Sequence, residues 1–255
     1  MTRHRGAAVV TGAARGLGLA IATALHQVGY DVMVTDPDPD AAAAAAAPLG
    51  GWSARLDVRY DQACEVAAQR AAERGGLALW VNNASVLAVG PLWTHDAGTR
   101  RRLMETNALG LMNGTLAALG VMRPRGRGHI VNVVSLAGLD AAPGETVYAA
   151  SKQAALAFSL GTLAELRAAG QRGVHISCLC PEGDWSPSRD SGARLRTEHV
   201  ATRLVRLLDD PRPVVAMPRR NGVRMLDAFP RASLSMARLM LAVGQRRQPQ
   251  GLSLR

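Results

Sequence analysis

Short apolar runs alternate with stretches of helical pattern along nearly the whole chain, and this limits the possible folds more than any other feature. Residues 7–11, 31–35, 52–56, 77–82, 128–135, 174–180 and 213–217 read as strands. Between them, helical patterns run to about Val28 and over residues 37–47, 61–74, 96–122, 147–169 and 197–208, with a last one near 222–243. A strand that must pass through a helix before the next strand forms a βαβ unit. Such units have right-handed crossovers and build a parallel sheet with helices on both faces. The expectation is an α/β, doubly wound domain of about seven strands. No linker, composition break or internal repeat divides the chain, so one domain is predicted, with a core over residues 7–183. Residues 184–212 are then a loop and helix beside the site, and 213–255 the last strand and a C-terminal tail. Pro, Gly, Ser and Asp crowd residues 181–196, which read as a mobile loop.

Composition removes several classes of function. No apolar run approaches the roughly 18 residues that a membrane-spanning helix needs. The polar start, Met1 to Gly6, lacks the apolar segment of a secretory signal, so a cytoplasmic protein is expected. The three cysteines, Cys64, Cys178 and Cys180, are too few and odd in number for a disulfide framework, and they read as buried small hydrophobes. No His or Cys grouping has metal-ligand spacing, so no metal is expected. The net charge is +10, but the clusters at Arg100–Arg102, Arg123–Arg127 and Arg219–Arg224 carry no interleaved aromatics for stacking bases. They read as solvated faces, with no nucleic-acid partner. The basic, apolar tail from Arg219 to Gly244 is expected to pack on its own domain or a neighbouring subunit in preference to a lipid surface. Of 30 basic residues, Lys152 is the only lysine. A chain that otherwise uses arginine throughout has kept one compact ammonium, and the two side chains are not interchangeable.

The first strand opens into Thr11-Gly12-Ala13-Ala14-Arg15-Gly16-Leu17-Gly18 and then a helix. Glycines there permit a tight turn and close approach of backbone to a pyrophosphate at the positive helix end. Asp36 lies 18 residues beyond Gly18, after the second strand. A carboxylate at that offset accepts hydrogen bonds from the adenosine ribose and repels a 2′-phosphate. Asp38 and Asp40 add negative charge, so NAD is favoured. NADP is left open because the Arg15 guanidinium could receive a phosphate. Asp57-Val58 closes the third strand, where the Asp could reach the adenine amino group. Asn82-Asn83-Ala84 ends the fourth, at the sheet edge where open α/β folds bind ligands.

Tyr148 and Lys152 are four residues apart on a predicted helix and share a face. A phenol titrates near 10, too high for a base at neutral pH, and a nearby ammonium favours the phenolate. Tyr148 so placed can protonate a carbonyl or deprotonate an alcohol as hydride moves. Ser135, at the end of the fifth strand, can hold the substrate oxygen.

Thr11 to Gly18, Asp57, Asn82-Asn83-Ala84, Asn107, Ser135 and Tyr148-Ala-Ala-Ser-Lys152 resemble, in order and spacing over residues 7–183, the motif series of the short-chain dehydrogenase/reductase family. A lone Tyr-x-x-x-Lys is weak; the ordered set is specific. The resemblance implies a Rossmann-like fold and an NAD(P)-dependent oxidoreductase acting on a small-molecule alcohol or ketone. It also implies a homodimer or homotetramer built on helices 96–122 and 147–169. By resemblance Lys152 binds the nicotinamide ribose, Asn107 holds a water linking that lysine to solvent, and Pro181 and Gly183 border the nicotinamide. Two departures stand out: Ser85 where the family has glycine, and Glu182 inserted between Pro181 and Gly183.

Residues 86–95, 136–146 and 184–196 are expected around the substrate, with Val86, Leu87, Trp93, Leu136, Leu139 and Trp185 as an apolar lining. Glu145 would repel an anion, while Arg189, Arg194 and Arg196 could reach in from the loop. A medium-sized hydrophobic alcohol or ketone is favoured. The rivals are a catalytically silent NAD-binding sensor or scaffold, an NADP-dependent ketoreductase, a nucleic-acid binder driven by charge, and a dehydratase or epimerase on the same fold.

Overall fold

The structure is a computed structural model and describes residues 5–182 and 197–217. Seven parallel strands form one sheet in the order β3-β2-β1-β4-β5-β6-β7. They are β1 (Ala7–Thr11), β2 (Asp31–Asp36), β3 (Trp52–Arg55), β4 (Leu77–Asn82), β5 (Gly128–Val133), β6 (Val174–Pro181) and β7 (Val214–Met217). The helices are α1 (Gly16–Gln27), α2 (Pro39–Ala46), α3 (Asp61–Glu73), α4 (Ala97–Met104), α5 (Gly110–Met122), α6 (Thr146–Ala168) and α7 (Thr197–Asp209). The order reverses between β1 and β4, and in open α/β sheets the carboxyl ends of the strands at such a point form the ligand crevice.

Alternate residues of each strand feed two cores. Ala8 and Val10 of β1 join Ile21 and Leu25 of α1 and Leu204 of α7 on one face. Ala7 and Val9 join Ala67 of α3, Ala118 of α5 and Leu163 of α6 on the other. Burial on both faces explains why the strands read as continuous apolar runs. Cys178 and Cys180, two apart and so on one face of β6, pack with Val134 and Leu156 in a third cluster.

Several boundaries differ from expectation. β3 stops at Arg55, so Asp57-Val58 lies in the turn beyond it. β5 stops at Val133; Val134 makes one further bond to the Leu179 carbonyl, and Ser135 then leaves the extended conformation. The single helix predicted over 96–122 is α4 and α5 joined by a π turn, Glu105–Leu109. The alanine-rich helix closes early in a 3₁₀ turn, Ala47–Leu49, and Asp38 caps its start by accepting from the amides of Asp40 and Ala41. The stretch 222–243 lies outside the described residues.

Candidate active site

The ends of β1 and β4 are stitched together at the crevice. The Thr11 hydroxyl accepts from the amides of Asn83 and Ala84, both at 3.0 Å. The Asn83 amide returns two bonds, to the carbonyls of Thr11 (2.9 Å) and Gly12 (3.0 Å). This closeness dictates the glycines. A Cβ on Gly12 would stand 2.9 Å from the Ala84 Cα, and one on Gly18 would stand 2.3 Å from the Gly12 carbonyl oxygen. Arg15 occupies the N-cap position of α1 and makes no side-chain cap, and no acidic residue sits in the first turn. The first amides of α1 are thus left for an external anion, and Leu17 and Gly18 pack the turn onto the core.

Asp36, the last residue of β2, is buried, and its carboxylate accepts from the amides of Ala14 (3.4 Å) and Asp38 (3.2 Å). It therefore faces the glycine turn. Asp57 carries an ion pair of its own: Arg59, two residues on, takes both carboxylate oxygens at 2.6–3.1 Å. Those bonds hold its carboxyl below the usual range. Val58 is buried, and its carbonyl accepts from Asn113 of α5 at 3.0 Å.

The catalytic candidates converge from three elements. Lys152 of α6 is 2% exposed. Its Nζ donates to the Val133 carbonyl at 3.2 Å and lies 5.6 Å from the centre of the Tyr148 ring. No carboxylate among the described residues pairs with it. Burial brings its pKa down to about 8. Tyr148 is half-buried on the same face of α6. The turn carrying Ser135 packs directly on this helix, since a Cβ on Gly138 would lie 3.1 Å from the Lys152 carbonyl oxygen. The buried thiol of Cys180 sits behind both, beside the Ser135 amide and the Lys152 ammonium.

Ser135 has φ 148° and ψ 160°, and it is the one non-glycine residue with positive φ among the described residues. That region is populated almost only by glycine and costs about 1–3 kcal/mol for other residues. Its hydroxyl accepts from the Ala137 amide at 3.2 Å. Replacement by alanine and by glycine removes the hydroxyl equally, but only glycine relieves the backbone. Ser135→Gly is therefore expected to be more stable than Ser135→Ala by about 1–2 kcal/mol in thermal unfolding, against the usual order. An alanine variant as stable as the glycine one would show that the strain is absent.

Asn107 lies in the π turn, 1% exposed, with all its side-chain sites used. Its Oδ1 accepts from Ser85 Oγ (3.0 Å) and the Val86 amide (2.8 Å). Its Nδ2 donates to the Val86 carbonyl (2.9 Å) and Ser151 Oγ (3.1 Å), and that hydroxyl donates to the Tyr148 carbonyl at 2.7 Å. The sequence reading missed Ser151 and the partnership of Ser85 with Asn107. Both pairings cross between elements and leave no local signal.

Of the expected substrate segments, 86–95 and 136–146 meet, with the Gly90 amide donating to the Gly144 carbonyl at 2.9 Å. Leu136 and Leu139 pack partly against the Val134–Cys180 cluster. Leu87, Val89, Leu92 and Trp93 are exposed on the rim, Trp93 at 87%. Pro181 ends β6 against Met217, and the Glu182 amide bonds the Met217 carbonyl at 3.1 Å. Gly183, Trp185, Arg189, Arg194, Arg196 and the tail from Arg219 lie outside the described residues.

The sequence model of the family described as short chain dehydrogenase matches residues 6–188. This chain belongs to that family. It is 35% identical to Sex determination protein tasselseed-2 of Zea mays over 189 residues, 71% of this chain but only 55% of that protein. It is 30% identical to Estradiol 17-beta-dehydrogenase 11 of Mus musculus over 221 residues, 82% of this chain and 74% of that one. A crystal structure of a short-chain dehydrogenase/reductase from Burkholderia phymatum in complex with NAD matches at a TM-score of 0.77 and 26% identity, covering 100% of both chains. The doubly wound sheet of the family is therefore present in full. No helix among the described residues is long and apolar enough to cross a membrane.

Proposed function

We propose that this protein moves a hydride between NAD(H) and a hydrophobic secondary alcohol or ketone, with Tyr148 exchanging the proton. One observation carries the reading: the only lysine of the chain is buried one helical turn from Tyr148 with no carboxylate partner among the described residues. An unpaired buried ammonium is costly and is kept where it has work to do.

The residues fit a dinucleotide. The uncapped start of α1 suits a pyrophosphate, Asp36 suits ribose hydroxyls, and Lys152 suits a second ribose beside Tyr148. When bound, the nicotinamide supplies or accepts the hydride. Tyr148 then donates its phenolic proton to the carbonyl oxygen, or takes the alcohol proton in the reverse direction. Lys152 keeps positive charge beside the phenol, and the Ser135 hydroxyl, carried by a strained turn, bonds the reacting oxygen in this reading. Asn107 fixes loop 85–86 against α6. The apolar rim supports a hydrophobic substrate, as does the estradiol named for the mouse relative. Exposed Met104, Leu109 and Leu116 on the 97–122 run support self-association through that face.

Steady-state turnover with steroid, terpenoid and polyketide-like ketones under NADH and NADPH tests the reading. The buried Asp36 predicts at least about tenfold preference for NADH, since unlike 2′-hydroxyls a 2′-phosphate meets a like charge. Equal or faster turnover with NADPH would overturn the cofactor assignment. Activity confined to sugars or small acids would overturn the substrate class.

A further inference from the structure

We infer that Ser85 is a positioning residue for the cofactor, working through Asn107; this rests on the NAD-linked reading above. Ser85 follows directly on Asn83 and Ala84, which are tied to Thr11 and Gly12 at the mouth of the crevice. Its hydroxyl donates to Asn107 Oδ1 at 3.0 Å, on the same oxygen that holds the Val86 amide at 2.8 Å. From Asn107 the bonds continue through Ser151 to the Tyr148 carbonyl. Hydrogen bonds joined by the backbone of residues 83–86 thus link the glycine turn to the helix carrying the phenol. Glycine at position 85 has no hydroxyl to make this link and gives the loop a freer backbone. In this chain serine supplies both the donor and the restriction.

The loop borders the crevice, so loosening it should show in cofactor affinity more than in stability. Ser85 is itself exposed, and its loss leaves Asn107 its other three bonds. For one neutral hydrogen bond the expected loss is about fivefold. Ser85→Ala and Ser85→Gly should each raise the NADH dissociation constant, read by NADH fluorescence, by about that factor. The KM for NADH should rise with it, kcat should stay close to wild type, and the melting temperature of the cofactor-free protein should hold. Ser85→Thr, which keeps the hydroxyl, should restore wild-type binding. Wild-type affinity in Ser85→Ala overturns the inference alone, as does a loss confined to Ser85→Gly, which would assign the effect to backbone freedom. A wild-type protein that binds no NADH overturns the functional reading and this inference with it.

Discussion

Replacing Tyr148 by phenylalanine is expected to lower kcat/KM by about three orders of magnitude while NADH binding stays close to wild type. The substitution removes one oxygen from a half-buried side chain and leaves the ring against Lys152, so the fold has little reason to change. What it removes is the only hydroxyl on that face of α6 set beside the buried ammonium. Ser151, three residues on, has its proton committed to the Tyr148 carbonyl and cannot replace it. An effect on kcat and kcat/KM together marks a group acting in the transition state. An effect on KM alone would instead make Tyr148 a binding residue, and the proton would have to come from elsewhere.

Lys152→Met is expected to abolish most activity yet make the protein more stable. Burial that moves the ammonium from 10.5 to about 8 corresponds to about 3 kcal/mol against the charged form. Removing the amine also takes a donor from the Val133 carbonyl, which returns about 1 kcal/mol. The net gain is about 2 kcal/mol near neutral pH, roughly 5 °C in Tm for a chain of this size. The sign has a pH signature. Below pH 8 the ammonium is charged in both states and folding carries the full cost. Between about 8 and 10.5 only the unfolded chain holds the proton, so wild-type stability rises with pH. Above 10.5 neither state is charged and the cost is gone. In Lys152→Met this component of the pH dependence should vanish, and thermal scans from pH 7 to 11 read it directly. A variant less stable than wild type at pH 7 would mean that the ammonium is not buried as described. For the same reason, kcat/KM of the wild type should fall as pH rises through about 8, because the free enzyme then loses the charge beside the phenol.

Much of the architecture was legible because parallel strands buried on both faces leave uninterrupted apolar runs, and the helices between them carry their own period. β4 falls at Leu77–Asn82 as read, and α6 at Thr146–Ala168 within a residue of expectation. The third strand was read one residue too long because Leu56 is apolar and buried, although no strand pairing continues past Arg55. Local pattern carries burial but not hydrogen-bond register. The site motifs were legible as residue types at fixed spacings, and the structure brings Ser135, Tyr148, Lys152 and Asn107 around the end of β5. Their condition was not legible. The strained φ of Ser135 is imposed by packing of the following turn on α6, and nothing in Val-Val-Ser-Leu announces it. The π turn that presents Asn107 is a property of how α4 and α5 join, not of Glu105–Leu109 alone. The bidentate hold of Arg59 on the Asp57 carboxylate was not legible either, because side-chain pairing two residues apart in a turn has no pattern of its own. The departure at Ser85 was visible as an oddity, and its reason emerged only with Asn107 in view, 22 residues on.

The central claim is that the buried amine of Lys152 and the phenol of Tyr148 flank the reactive ring of a dinucleotide lying across the β1–β4 crevice. A crystal structure with NADH tests it most directly. The account predicts the pyrophosphate at the start of α1, the adenosine ribose on Asp36, Lys152 Nζ on the nicotinamide ribose, and the Tyr148 hydroxyl turned toward the nicotinamide C4. A dinucleotide bound elsewhere, or a Tyr148 hydroxyl directed away from that carbon, would contradict it.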